Sequence, residues 1–164
     1  MIPSGFSTPE SLRHLREHAR NRTVNWRRKI IYWSGAVIVG LVAVGFAGAA
    51  DWAAHQRSHI VRNNPWIMLL LAPAGLVLST WMTRRWFRGA QGSGIPQAIA
   101  CMHLNDMGIV EKVLSLRIAL AKIGLTCLGL LAGASIGREG PTVQVGASIM
   151  HTVGRLAGLT DVTK

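Results

Sequence analysis

Two long apolar stretches dominate the first half of the chain. Residues 30–50 contain no charged side chain, and Asp51 ends this run. A second apolar run covers residues 66–82 and includes Pro73, which is expected to bend a helix. About 20 apolar residues in a helix cross the hydrocarbon core of a bilayer. The pattern predicts two spanning helices, and the first run is longer than the roughly 7 to 15 apolar residues of an export signal.

The second half of the chain consists of shorter apolar segments separated by glycine-rich breaks. A short helix is predicted for Pro96 to Leu104, an apolar stretch covers residues 113–136, and another helix reaches about Leu159. Interrupted helices of this kind are typical of membrane proteins whose binding sites are built from helix ends. The sequence therefore predicts an all-α membrane fold with about three long helices and two or more short ones.

Small and charged residues within the stretch 113–136 allow further predictions. Arg117 and Lys122 should face protein or water rather than lipid. Glycines recur at intervals of four at Gly129, Gly133 and Gly137, a spacing that lets helices approach closely. The two cysteines, Cys101 and Cys127, lack the C-x-x-C spacing of a metal site and are interpreted as small buried side chains.

The charge of the chain lies beside the apolar runs. The formal net charge is +11, from 18 basic and 7 acidic residues, and the mean hydropathy is +0.30. Basic residues precede the first run at Arg13, Arg16, Arg20, Arg22, Arg27, Arg28 and Lys29, and follow the second at Arg84, Arg85 and Arg88. The positive-inside rule then places both basic flanks in the cytoplasm and residues 51–65 outside. Nucleic-acid binding is disfavoured, because no zinc-finger spacing, RNP-type motif or basic zipper accompanies the charge.

This distribution suggests two regions. Residues 1–29 form a basic cytoplasmic segment, and residues 30–164 form the transmembrane domain. Within the first region, residues 8–22 begin with helix-start signals and have an apolar and a basic face, which predicts a helix on the membrane surface. A solvated basic tail is the alternative for the same residues.

The first glycine-rich break reads Gly92-Ser93-Gly94-Ile95-Pro96. Proline suits the first turn of a helix, so a helix is predicted to begin at Pro96. The glycines let the backbone approach a ligand, and the Ser93 hydroxyl can donate a hydrogen bond beside the positive end of the helix dipole. The alternative is a capped helix start with no ligand.

The second break, Gly137-Arg138-Glu139-Gly140-Pro141, repeats this pattern. Free N–H groups at such a helix start favour anions. Glu139 carries the only carboxylate between Lys112 and Thr160, and it can occupy and block a site that a mobile anion would use. A proton-linked gate is one interpretation of this residue. The other is a helix cap paired with Arg138.

The two breaks, with Thr142-Val143-Gln144-Val145-Gly146 after the second, resemble the two signature sequences of the CLC chloride channel and chloride/proton antiporter family. The resemblance implies an anion-binding site formed by Ser93, Gly94, Ile95, Arg138, Glu139 and Gly140. Ser93 would coordinate a central chloride, the backbone of residues 138–140 would line an outer site, and Glu139 would be the gate.

The resemblance implies chloride transport across a membrane, as a channel or as an antiporter that also moves protons. It covers the first of the two inverted halves of a family member, so the chain is expected to be an incomplete portion that does not transport alone. The single tyrosine, Tyr32, lies in the first span and cannot supply the family's tyrosine ligand. Alternatives are a fluoride- or nitrate-preferring relative and a non-transporting membrane piece or accessory subunit.

The remaining expectations concern partners and location. The family's full-length members imply a homodimer in a lipid bilayer, here a multi-pass protein of a bacterial inner or plasma membrane. No enzymatic activity, cofactor or metal is predicted, and chloride is the substrate. The histidines include two pairs spaced by four residues, His14/His18 and His55/His59, but each pair lacks a convincing third ligand.

Overall fold

The computed structural model describes residues 9–103 and 106–158, and within these ranges the regular elements are helices. This confirms the all-α prediction. The helices are α1 (Pro9–Asn63), α2 (Ile67–Trp86), α3 (Ile95–His103), α4 (Met107–Val113), α5 (Leu116–Leu131) and α6 (Glu139–Leu156), with a single 3₁₀ turn at Arg88–Ala90 after α2.

Helix α1 begins at Pro9 and continues without a break to Asn63. The predicted domain boundary at residue 29 therefore falls inside a helix, and the side-chain surroundings of residues 9–25 lie outside the described part of the chain. The polar segment after Asp51 is helical because it contains no glycine or proline before Asn63. Pro65 then disfavours helical geometry at the residue before it, and α1 ends.

Three described segments are long and apolar enough to cross a membrane: Trp26–Asn63, Ile67–Trp86 and Gly108–Leu131. The first has 38 residues and is therefore about 57 Å long, well beyond the roughly 30 Å of hydrocarbon in a bilayer. The third includes a break at Leu114 and Ser115, between α4 and α5. Many large apolar side chains on α1 and α2 are exposed, among them Trp33, Val44, Leu69, Leu70 and Val77, as expected for helices that face lipid.

The best-packed part of the molecule lies where α1, α5 and α6 meet. Ala119 of α5 and Val145 and Ile149 of α6 are buried together, and Val39 and Val42 of α1 pack against them. A second cluster joins α5 to the end of α2 and the 3₁₀ turn through Ala90, Ile118 and Leu125, with Met82 and Phe87 around it. A third places α3 and α4 against α6 through Cys101, Val110 and Leu114. Helices α5 and α6 thus form the centre on which the shorter helices rest.

Helix α5 ends earlier than the apolar stretch from which it was predicted. Gly133 has φ +94° and its N–H bonds to the Leu130 carbonyl, while the Ala134 N–H bonds to the Gly129 carbonyl. These two bonds form a Schellman motif, which terminates a helix at a left-handed glycine. Of the three glycines whose spacing was expected to let helices approach closely, only Gly129 lies in α5, so Gly129, Gly133 and Gly137 do not share one helix face.

Candidate anion-binding site

The start of α3 is a tight loop built around two glycines. Gly92 has φ +69° and Gly94 has φ +102°, a region that residues with a Cβ rarely adopt. The helix begins at Ile95, one residue before the predicted Pro96. Its cap comes from Gln97, whose Oε1 accepts a hydrogen bond from the Gly94 N–H at 3.0 Å. This is half of a capping box, so Ser93 is not the residue that caps the helix.

The loop before α3 is held by two buried polar side chains from neighbouring helices. Lys122 of α5 is 4% exposed, and its Nζ donates hydrogen bonds to the carbonyls of Ala90, at 2.9 Å, and Gly92. Gln144 of α6 is fully buried, and its Nε2 donates to the Gly89 carbonyl at 2.8 Å. The prediction that Lys122 faces protein is confirmed. The role of Gln144 was missed, although an amide in an apolar helix is a signal that could have indicated it.

The start of α6 is held differently. Arg138 occupies the N-cap position, and its carbonyl accepts hydrogen bonds from the Thr142 N–H at 3.1 Å and the Thr142 hydroxyl at 2.8 Å. The Arg138 Nη2 lies 2.6 Å from the Asp51 Oδ1 of α1. Glu139, the first residue of α6, is exposed and forms no ion pair with another described residue. The alternative in which Glu139 pairs with Arg138 is therefore not what the structure shows.

The starts of α3 and α6 touch each other through glycine backbones. A Cβ placed on Gly94 would lie 2.8 Å from the Gln144 Cβ and 2.9 Å from the Gly140 carbonyl oxygen. A Cβ placed on Gly140 would lie 2.5 Å from the Ser93 carbonyl oxygen and 3.1 Å from the Ser93 Cβ. Both contacts are too short for any residue other than glycine. The two breaks, far apart in sequence, therefore form one site in the fold.

An open cavity of about 750 Å³ lies at this junction. The predicted site residues Ser93, Ile95, Arg138, Glu139 and Gly140 all line it, whereas Gly94 is buried behind the lining. Other polar side chains on the wall belong to Ser79, Thr83, Lys122, Thr126 and Ser135. Two basic residues and two helix starts thus line one cavity, an arrangement that suits an anion.

The hydroxyl of Ser93 is available to a ligand. Ser93 is exposed to the cavity, and among the described residues its hydroxyl has no hydrogen-bond partner. In the described ranges, no three metal-ligating side chains lie together, and His55 and His59 pack edge to face with ring centres 4.9 Å apart. Apart from the Glu139 carboxylate, the side chains on the cavity wall that can bind a small ion are hydroxyls and cations, which are donors for an anion.

A comparison with protein families decides the classification of the chain. The family model described as voltage gated chloride channel matches residues 75–164. The chain belongs to this family. The matched region contains both glycine-rich breaks and all the residues that line the cavity, whereas Asp51 lies before it. No solved structure matches the chain. Members of the voltage-gated chloride channel family are membrane channels and transporters, not enzymes, and chloride is their substrate.

Proposed function

We propose that this protein transports chloride across a membrane, and that the ion passes through the cavity between the starts of α3 and α6. The observation that carries this proposal is the contact of the two helix starts at one cavity whose wall includes Lys122 and Arg138. Free backbone N–H groups and cations stabilise an anion, and a hydroxyl such as that of Ser93 can replace part of its hydration shell. These ligands need no cofactor.

Glu139 is proposed as the gate of this pathway. Glu139 lines the same cavity at the first turn of α6, where a chloride ion would also be favoured by the helix start. A carboxylate and a chloride compete for such a position because both are anions. Protonation removes the charge of Glu139 and leaves the position to chloride, which links anion flux to protons in either a channel or an antiporter.

The cavity is partly open in the described part of the chain. Ser93, Ile95 and Glu139 are all exposed, so the described residues enclose an ion in contact with them only in part. A chloride ion at membrane depth needs polar groups all around it, because lipid supplies none. We therefore propose that a further protein surface closes the site, and that the working assembly is a homodimer in a bacterial inner or plasma membrane.

Chloride efflux from liposomes tests the proposed function. Liposomes carry the protein in the oligomeric form purified from its own membrane, with valinomycin and potassium to balance the charge. Chloride efflux from these liposomes should be faster than chloride efflux from protein-free liposomes. It should also be faster than the efflux of gluconate from the same protein-containing liposomes. Ser93→Ala should raise the half-saturating chloride concentration about ten- to a hundredfold, since one hydrogen bond to a charged group contributes roughly 1.5–3 kcal/mol.

The matched control is Ser58→Ala, because Ser58 bonds only to the His55 carbonyl of its own helix and does not line the cavity. This variant should transport like the parent. Efflux no faster than from protein-free liposomes would refute chloride transport. Faster efflux of fluoride or nitrate than of chloride would instead support a relative of different selectivity.

A further inference from the structure

The ion pair between Asp51 and Arg138 connects α1 to the residue immediately before the proposed gate. The Arg138 Nη2 lies 2.6 Å from the Asp51 Oδ1, and the side chains are 42% and 67% exposed, respectively. A pair this open to solvent contributes little to folding stability. The pair therefore matters less for stability than for the position in which it holds the guanidinium group of Arg138.

Arg138 differs from the other cation of the cavity wall. The Lys122 ammonium is buried and donates to two backbone carbonyls, so its position is fixed by the loop that it binds. The Arg138 guanidinium is partly exposed, and its ion pair with Asp51 uses one of its five N–H donors. The contact with Asp51 limits the positions that the guanidinium can take, and therefore limits how its remaining donors can approach an anion or the neighbouring carboxylate of Glu139.

We propose that Asp51 is a positioning residue of the anion cavity, which holds the Arg138 guanidinium towards α1 and thereby weakens the attraction of the cavity for chloride. Two opposite charges in contact act on a third charge as a dipole, whose field falls off faster with distance than that of a single cation. Without the carboxylate, Arg138 faces the cavity as an unpaired cation. The inference rests on the proposed function for the identity of the anion.

Chloride binding in detergent solution tests this inference separately from transport. Chloride replaces gluconate at constant ionic strength, and the rise in melting temperature gives the half-saturating concentration, because a bound ligand stabilises the folded state. Asp51→Asn should lower that concentration about two- to tenfold, the effect of one extra unit charge several ångströms away in a partly hydrated cavity. Asp51→Glu keeps the charge and should keep the parental value.

A double-mutant cycle distinguishes positioning from direct repulsion of chloride by Asp51. In an Arg138→Gln background, Asp51→Asn should change the half-saturating concentration less than twofold. The control is Glu111→Gln, which breaks the ion pair of Glu111 with Arg155 at 2.9 Å, away from the cavity. This variant should bind chloride like the parent.

Three results would overturn the inference. An unchanged half-saturating concentration in Asp51→Asn would show that the pair does not control the cavity. An equal decrease with and without Arg138 would show direct repulsion. Absence of any chloride-dependent stabilisation in the parent would refute both the inference and the chloride site. The expected cycle together with no efflux from liposomes would support the inference and refute transport.

Discussion

The starts of α3 and α6 have the same sequence pattern, two glycines around polar residues followed by proline, but they are held by different means. At α3, both glycines have positive φ, and the buried side chains of Lys122 and Gln144 bind the carbonyls of the loop. At α6, Gly137 has no atom within 4 Å of the position of a Cβ, and an exposed ion pair to Asp51 holds Arg138. The comparison indicates that the loop carrying Ser93 is held more tightly than residues 137–139, although the next residue, Gly140, packs directly against Ser93.

The largest expected effect comes from filling the glycines of the two loops. Gly94→Ala requires φ +102° and places a Cβ 2.8 Å from that of Gln144, so strain and overpacking together should cost roughly 3 kcal/mol or more. Gly137→Ala meets open space and should change stability by no more than about 0.5 kcal/mol. Melting temperature in detergent measures both. Equal losses in the two variants would contradict the difference in rigidity.

A smaller effect is expected from the buried lysine. Lys122→Met leaves the Ala90 and Gly92 carbonyls without their donor, at roughly 1–3 kcal/mol for each unpaired group. Removal of a buried charge offsets part of this cost, so a net loss of about 1–3 kcal/mol is expected. Chloride affinity should fall about tenfold with the loss of the nearby cation.

The control for this prediction is Lys112→Met, which removes an exposed ammonium and should leave the stability and the chloride affinity unchanged. Melting temperature and chloride titration in detergent give the two readouts. If Lys122→Met bound chloride as tightly as Lys112→Met, the lysine would have a purely structural role.

The long helices and the two breaks could be predicted from the sequence because their signals are local. Runs of about 20 apolar residues predict spans, and glycine and proline mark the ends of helices. The short α4 was missed, although its own cap was present in the sequence: Asp106 accepts a hydrogen bond from the Gly108 N–H at 2.9 Å. Ser115 caps α5 in the same way by accepting from the Ile118 N–H, and this marks the break between the two helices.

The ties that join the breaks into one site could not be predicted, because they connect distant parts of the chain. Lys122 binds a carbonyl 32 positions away and Gln144 binds one 55 positions away. The Asp51–Arg138 pair joins two different helices, whereas the sequence suggested the adjacent Glu139 as the partner of Arg138. Neighbours in sequence are the natural candidates for a salt bridge, but the packing of α1 against α5 and α6 supplied a different carboxylate.

Chloride flux in liposomes as a function of pH, measured for the parent and for Glu139→Gln, tests the central claim most directly. The substitution keeps the size of the side chain and removes the charge that competes with chloride. Because Arg138 pairs with Asp51, the Glu139→Gln substitution leaves no cation unpaired, and the variant should fold like the parent. The account predicts that flux persists in Glu139→Gln and no longer depends on pH. A well-folded variant whose flux follows pH as the parent's does would contradict the gate, and a variant that fails to fold would show that Glu139 is structural.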